Sequence, residues 1–211
     1  MSQIQISSNE EVLVVNAQML QEYISEGGLK VTPIVNSHIH EINKLIQTNG
    51  VFLSRSKVED DCSYKQIIPY VYITYCDSIF LTNRKKTQSE IRLHNKYSLG
   101  VGGHINKLDS SKMDNIIYNG MLRELYEEVI IGTESILRIK PQFLISDNTT
   151  EVGIMHIGIV YHLQLNSNEC SVNETNKMEG RWIKINDLCM YYDRLESWSQ
   201  IIADALLVID I

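Results

Sequence analysis

The sequence has little cysteine, an excess of acid over base, and no long unbroken apolar run. Its four cysteines, Cys62, Cys76, Cys170 and Cys189, include no CxxC pair. That excludes the ligand spacing of a thiolate zinc site. A membrane-spanning helix needs about 20 apolar residues. The best stretch, VGIMHIGIVYHLQL, is interrupted by His156 and His162. Nineteen Lys and Arg face 26 Asp and Glu, for a net charge of −7. A broad nucleic-acid-binding surface is excluded, and only local clusters such as Arg84-Lys85-Lys86 can meet phosphate. The opening MSQIQISSNEEVLVV has neither a basic start nor an apolar run of secretory length. The cysteines are therefore expected to be free thiols in a reducing cytoplasm. Repeats and low-complexity tracts are absent.

What remains is an ordinary globular composition, 44% hydrophobic and 21% charged over 211 residues. It suits one domain with an extension. The polar break KVEDDCSYKQ places the boundary, giving an N-terminal α/β extension over 1–65 and a main domain over 66–211. In the extension, VLVV (Val12 to Val15) reads as a strand. Ile39, Ile42, Leu45 and Ile46 have helical spacing that stops at Gly50. In the main domain, IIPYVYITYC and SIFLTN are β-branched and aromatic, and Asp77 marks a tight turn between them. TNRKKTQSEIRLHNK is a polar loop, and YSLGVGG is a strand ending in glycines. A helix follows over about Asn115–Ile131. Further strands are ILRIKPQFLIS, EVGIMHIGIVYHLQL and GRWIKI, and LESWSQIIADALLVI is a closing helix. Strands with interspersed helices predict an α/β class, with a mixed sheet covered by helices on both faces.

The helix after the glycines is the informative element. Ile117, Met121 and Leu125 form an apolar stripe at i, i+4, i+8. Glu124, Glu127 and Glu128 fall at i, i+3, i+4, so three like charges share another side. Such crowding destabilises a bare helix. A divalent cation bound by hard oxygens, Mg²⁺ or Mn²⁺, would compensate. A solvated acidic face is the other reading of the charge pattern alone. Arg123 can pair with one carboxylate and hold its rotamer. Gly102 and Gly103 let the backbone come close enough for a carbonyl to join the metal.

The string GG…RELYEE resembles the Nudix box, G-x5-E-x7-R-E-U-x-E-E-x-G-U, where U is a bulky aliphatic residue. Gly103 matches its first position. Arg123, Glu124, Leu125, Glu127 and Glu128 match its central run, and Ile131 its last aliphatic. The wider strings RLHNKYSLGVGGHIN, SYKQIIPYVYI and EVGIMHIGIVY resemble a bacterial subgroup of MutT-like phosphoesterases without a settled substrate. Three departures stand out. The span from Gly103 to Arg123 is six residues longer than the pattern, the early Glu falls on Asn115, and the late Gly falls on Ile130.

The resemblance implies a Nudix-type α/β/α sandwich. It implies a Mg²⁺- or Mn²⁺-dependent hydrolase that cleaves the pyrophosphate of a nucleoside diphosphate linked to another moiety. The metal shell falls on Glu124, Glu127, Glu128 and the glycine carbonyls of Gly102 and Gly103. Glu127 either completes that shell or deprotonates the water. The family often adds a glutamate base on a loop outside the box, and Glu174 is the first candidate here, then Glu179 and Glu151. Arg84 and Arg92 are candidates for substrate phosphate, and a homodimer is common for the resemblance. Two other functions compete. One is a non-catalytic Nudix-fold nucleotide sensor, to which Asn115 and Ile130 lend weight. The other is an isopentenyl-diphosphate isomerase-like activity, which ranks last because no cysteine neighbours the GGH segment or the acidic helix.

Overall fold

The computed structural model describes residues 10–23, 29–33, 36–84, 96–111, 115–173, 175–176 and 178–208. The fold is α/β, with a mixed sheet and helices. Its strands are β1 (Glu11–Asn16), β2 (Leu29–Pro33), β3 (Val51–Ser54), β4 (Tyr64–Tyr75), β5 (Ser78–Arg84), β6 (Tyr97–Ser98), β7 (Gly100–Gly102), β8 (Val129–Ile131), β9 (Ile136–Asp147), β10 (His156–Leu165), β11 (Cys170–Val172) and β12 (Met178–Lys184). Its helices are α1 (Asn36–Asn49), α2 (Arg55–Val58), α3 (Ile116–Glu128), α4 (Glu151–Met155) and α5 (Ser197–Val208). The main path through the sheet is β12-β5-β4-β10-β9-β2.

The chain packs as two units. The first takes Met1–Tyr70, Gly102–Glu124 and Pro141–Tyr161; the second takes Val71–Val101, Leu125–Lys140 and His162–Ile211. In the first unit, β1 is apolar on both faces, and Val12, Leu13, Val14 and Val15 are all buried. It pairs antiparallel with β3 (Leu13↔Phe52) and with the start of β4 (Val14↔Gln66). The Leu13 N–H donates to the Ile105 carbonyl at 2.8 Å, tying β1 to the segment after the glycines. Helix α1 buries Ile42 and Ile46 and closes at Gly50, whose N–H donates to the Ile46 carbonyl, as the spacing predicts.

In the second unit, the two-residue turn Cys76-Asp77 returns β4 into β5, with Cys76 at φ 50°. Strand β12 pairs antiparallel along the whole of β5. Trp182 on β12 meets Phe80 and Tyr75 edge to face, and its indole N–H donates to the Asn168 carbonyl at 2.8 Å. All four cysteines are free. No helix of the described residues is long and apolar enough to cross a membrane.

Several elements differ from the sequence reading. The acidic helix ends at Glu128, because Val129–Ile131 is β-branched and pairs antiparallel with β11. The stretch from Glu151 opens as a helix, α4, because Thr150 caps it by accepting from the Gly153 N–H at 2.9 Å. The strand proper starts only at His156. The polar break ends earlier than read, since β4 begins at Tyr64 and buries Lys65 and Gln66. The Lys65 ammonium is satisfied inside, donating to the Ile154 carbonyl at 2.5 Å and to Asn148 Oδ1 at 3.1 Å.

His162 on β10 carries a pH dependence of the second unit. Its ring stacks on Tyr72 (centroids 4.7 Å apart, 4° between planes), and its Nε2 lies 2.7 Å from Thr74 Oγ1. Burial, then the charge of Arg138, pushes its pKa down to about 4. The unfolded value is about 6.5, so between these values the unfolded chain binds the proton better. His162 therefore contributes stability that is complete above pH of about 6.5 and is lost as pH falls toward 4. Urea unfolding between pH 7 and 4.5 should show a falling midpoint. His162→Phe keeps the stack without titrating and should flatten that slope. An unchanged slope in His162→Phe would assign the acid sensitivity to other groups.

Candidate active site

The segment after β7 and the first two turns of α3 build the site in the first unit. Gly102 lies directly against the Pro69 carbonyl of β4, where a side chain has no room. The chain leaves β7 through Gly103 and His104 and enters a 3-10 turn over Lys107–Ser111. Asp109 in that turn is buried, at 5% exposure. It is fixed from three sides: its Oδ2 accepts the Asn106 N–H at 2.9 Å, its carbonyl accepts Asn119 Nδ2 at 2.9 Å, and its carboxylate receives Arg123.

Arg123 is the hub. Its Nε donates to Asp109 Oδ1 and its Nη2 to Asp109 Oδ2, both at 2.9 Å, a fork-to-fork pair. The same Nη2 donates to the His104 carbonyl at 2.7 Å, and Nη1 donates to Glu124 Oε1 at 2.8 Å. Burial alone would lower the Arg123 pKa, but the hydrogen bonds to Asp109 and Glu124 more than offset it and raise the value. The guanidinium thus stays charged and directs Glu124. The Glu124 carboxylate lies over Gly103, where a Cβ would stand 2.5 Å from Oε2, 2.6 Å from Cδ and 2.7 Å from Oε1. The glycine is required here for close approach.

His104 is held on its far side. Its Nε2 lies 2.7 Å from Gln66 Oε1 and 3.3 Å from His156 Nε2, while His156 Nδ1 lies 2.6 Å from the Val152 carbonyl. Burial, then the charges of Arg55, His156 and Arg123, holds the His104 pKa well below its ordinary value. It is a neutral, hydrogen-bonded ring that anchors the loop.

The structure brings Gly103, Arg123 and Glu124 together. Glu127 and Glu128 lie further along α3, in the second unit, with Glu127 exposed and Glu128 half-buried. Their carbonyls accept from Asn173, through its Nδ2 at 3.2 Å and its N–H at 2.8 Å. Among the described residues no three His, Cys, Asp or Glu side chains already stand together as a metal cage. Glu151, at the start of α4, and Glu179, on β12, are exposed. Arg84 ends β5, and its side chain lies outside the described residues, as do Glu174 and Arg92.

A solved structure and a further relative are similar to this chain in fold and sequence. The crystal structure of Tm1382, proposed to be a Nudix hydrolase, matches with a TM-score of 0.78 and 30% identity, covering 95% of this chain and 100% of that one. The chain belongs to the Nudix hydrolase family. It is also 38% identical to protein YmaB of Bacillus subtilis (strain 168) over 175 residues, 81% of this chain and 85% of that protein. No family model matches it.

In Nudix terms, the structure relocates one position. Asn115, expected at the early acid, instead caps α3, accepting the Tyr118 N–H on Oδ1 at 3.1 Å. The carboxylate that meets Arg123 is Asp109. It stands six positions after Gly103, the spacing of the box, with Asp in place of Glu. The extra residues therefore lie between Asp109 and Arg123. Counting forward from the glycine, not back from the arginine, finds it in the sequence. Asp109→Asn should weaken the fork and cost about 2 kcal/mol or more. Asn115→Ala should cost about 1 kcal/mol, a lost cap. Urea titration of both variants checks the order, and a larger loss in Asn115→Ala would contradict the relocation.

Proposed function

We propose that this Nudix hydrolase is a pyrophosphohydrolase, cleaving a nucleoside diphosphate linked to another moiety, with Mg²⁺ or Mn²⁺. One observation carries the reading: a carboxylate, Glu124, accepts from a charged arginine that Asp109 fixes, over a glycine whose missing side chain makes the space. An acid with no chemical role needs neither the fork nor the glycine. The donor chemistry fits a hard divalent cation, since Glu124, Glu127 and Glu128 are anionic groups on one helix and the Glu124 carboxylate lies against Gly103. A cation bound there neutralises phosphate charge and lowers the pKa of water.

The protein's part is positioning. Asp109 fixes Arg123. Arg123 sets the Glu124 rotamer and, through the His104 carbonyl, the height of the glycine loop. Glu127 is exposed, so water can reach it, which suits the role of ligand or of base toward the attacking water. Glu174 and Glu179 remain the loop and strand candidates for an additional base, and Arg84 and Arg92 for phosphate contacts. The four free cysteines support a cytoplasmic protein. A homodimer is the assembly that the family resemblance suggests.

A panel of NDP-sugars, dinucleoside polyphosphates, NADH and oxidised dNTPs with Mg²⁺ or Mn²⁺ tests the reading, with phosphate measured after a phosphatase step. At least one compound should release phosphate, and Glu127→Gln or Glu128→Gln should lower the rate about 100-fold or more. Tight nucleotide binding with no release from any compound would replace the enzyme with a sensor.

A further inference from the structure

Two arginines in the second unit depart from the chain's charge pattern. Arg181 on β12 and Arg194 in the 3-10 turn Tyr192–Arg194 are both exposed. Both lie on the same pair of tyrosines. The Arg181 Cζ is 5.3 Å from the ring centroids of Tyr97 and of Tyr191. The Arg194 Cζ is 4.9 Å from that of Tyr97 and 5.8 Å from that of Tyr191. The two rings meet edge to face at 5.5 Å and 89°.

Their backbones are fixed. Tyr97 accepts the Glu196 N–H at 2.9 Å, and the Tyr191 N–H donates to the Leu188 carbonyl at 3.0 Å. Arg181 Nη2 also donates to the Tyr97 hydroxyl at 3.1 Å. The guanidinia are thus pre-ordered by cation–π contact and lose less freedom when they bind.

Elsewhere in the described residues, cations that cluster carry carboxylates. Arg55 pairs with Glu10 and Glu59, Arg123 with Asp109 and Glu124, Lys107 with Glu11, and Lys184 with Asp77. Arg181 and Arg194 have no ion pair among the described residues. Neighbouring acids do not supply one. Glu196 caps α5, accepting the N–H groups of Trp198 and Ser199 at 3.0 Å. In a chain with 26 acids against 19 bases, an ordered and uncompensated cation pair is a site for an external anion.

We propose that Arg181 and Arg194, held on Tyr97 and Tyr191, bind a small condensed phosphate, a di- or triphosphate. Guanidinium forks match phosphate oxygens two at a time, and two forks call for an anion with more than one charged centre. The net charge of −7 opposes a long polyanion such as nucleic acid but not a short one. The site is independent of the proposed hydrolysis, because binding needs no metal and no turnover.

Calorimetry of the full chain with inorganic pyrophosphate in EDTA tests it at low and moderate salt. Wild type should bind, more weakly as salt rises. Arg181→Gln and Arg194→Gln should each weaken binding about tenfold. Arg138→Gln, at another exposed arginine without an ion pair, should leave it unchanged, and thermal melts should show all three folded. Absence of binding in wild type, undiminished binding in Arg181→Gln and Arg194→Gln, or an equal loss in Arg138→Gln would overturn the proposal.

Discussion

The site depends on one buried ion pair, Arg123 with Asp109. The Asp109 side chain is 4% exposed and that of Arg123 is 23% exposed, so both have given up most of their water. A pair in that setting costs free energy unless every donor and acceptor is matched. Here the fork matches Asp109 twice, and the remaining donors reach the His104 carbonyl and Glu124. The arrangement has little freedom to shift. Its cost is offset by what it fixes: a loop height, a helix start and the direction of one carboxylate.

The same interaction explains why the helix tolerates its acids. Glu124 has a cation beside it within the protein, so its charge is not left facing Glu127 and Glu128 alone. Glu127 is exposed to water, and water screens it. Arg123 thus relieves part of the crowding and leaves one of the three carboxylates pre-oriented.

Much of this was legible in the sequence. Strict patterning revealed β1, the hairpin of β4 and β5, the helix stop at Gly50, and the stripe Ile117, Met121 and Leu125, all of which are buried. The Nudix family was legible because close approach at Gly103 and pairing by Arg123 demand particular residue types. Four features were not. Val129–Ile131 continues the helical stripe as well as it fits a strand, and only its partner Cys170–Val172, about 40 residues away in sequence, decides for the strand. The helical start at Glu151 depends on a single cap, Thr150. Asp109 was hidden because an insertion displaces it from the arginine, while its spacing from Gly103 is preserved. The cluster of Arg181, Arg194, Tyr97 and Tyr191 joins segments nearly 100 residues apart, a juxtaposition that no local pattern carries.

We propose that Glu124, held against Gly103, is a metal ligand. Gly103→Ala probes this directly, because the added methyl would meet only the end of the Glu124 side chain, with no backbone atom among its nearest neighbours. Calorimetric titration of the folded variant with Mn²⁺ should show affinity reduced about tenfold or more relative to wild type, with a thermal midpoint shifted by only a few degrees. Equal Mn²⁺ affinity in the variant and the wild type would contradict it.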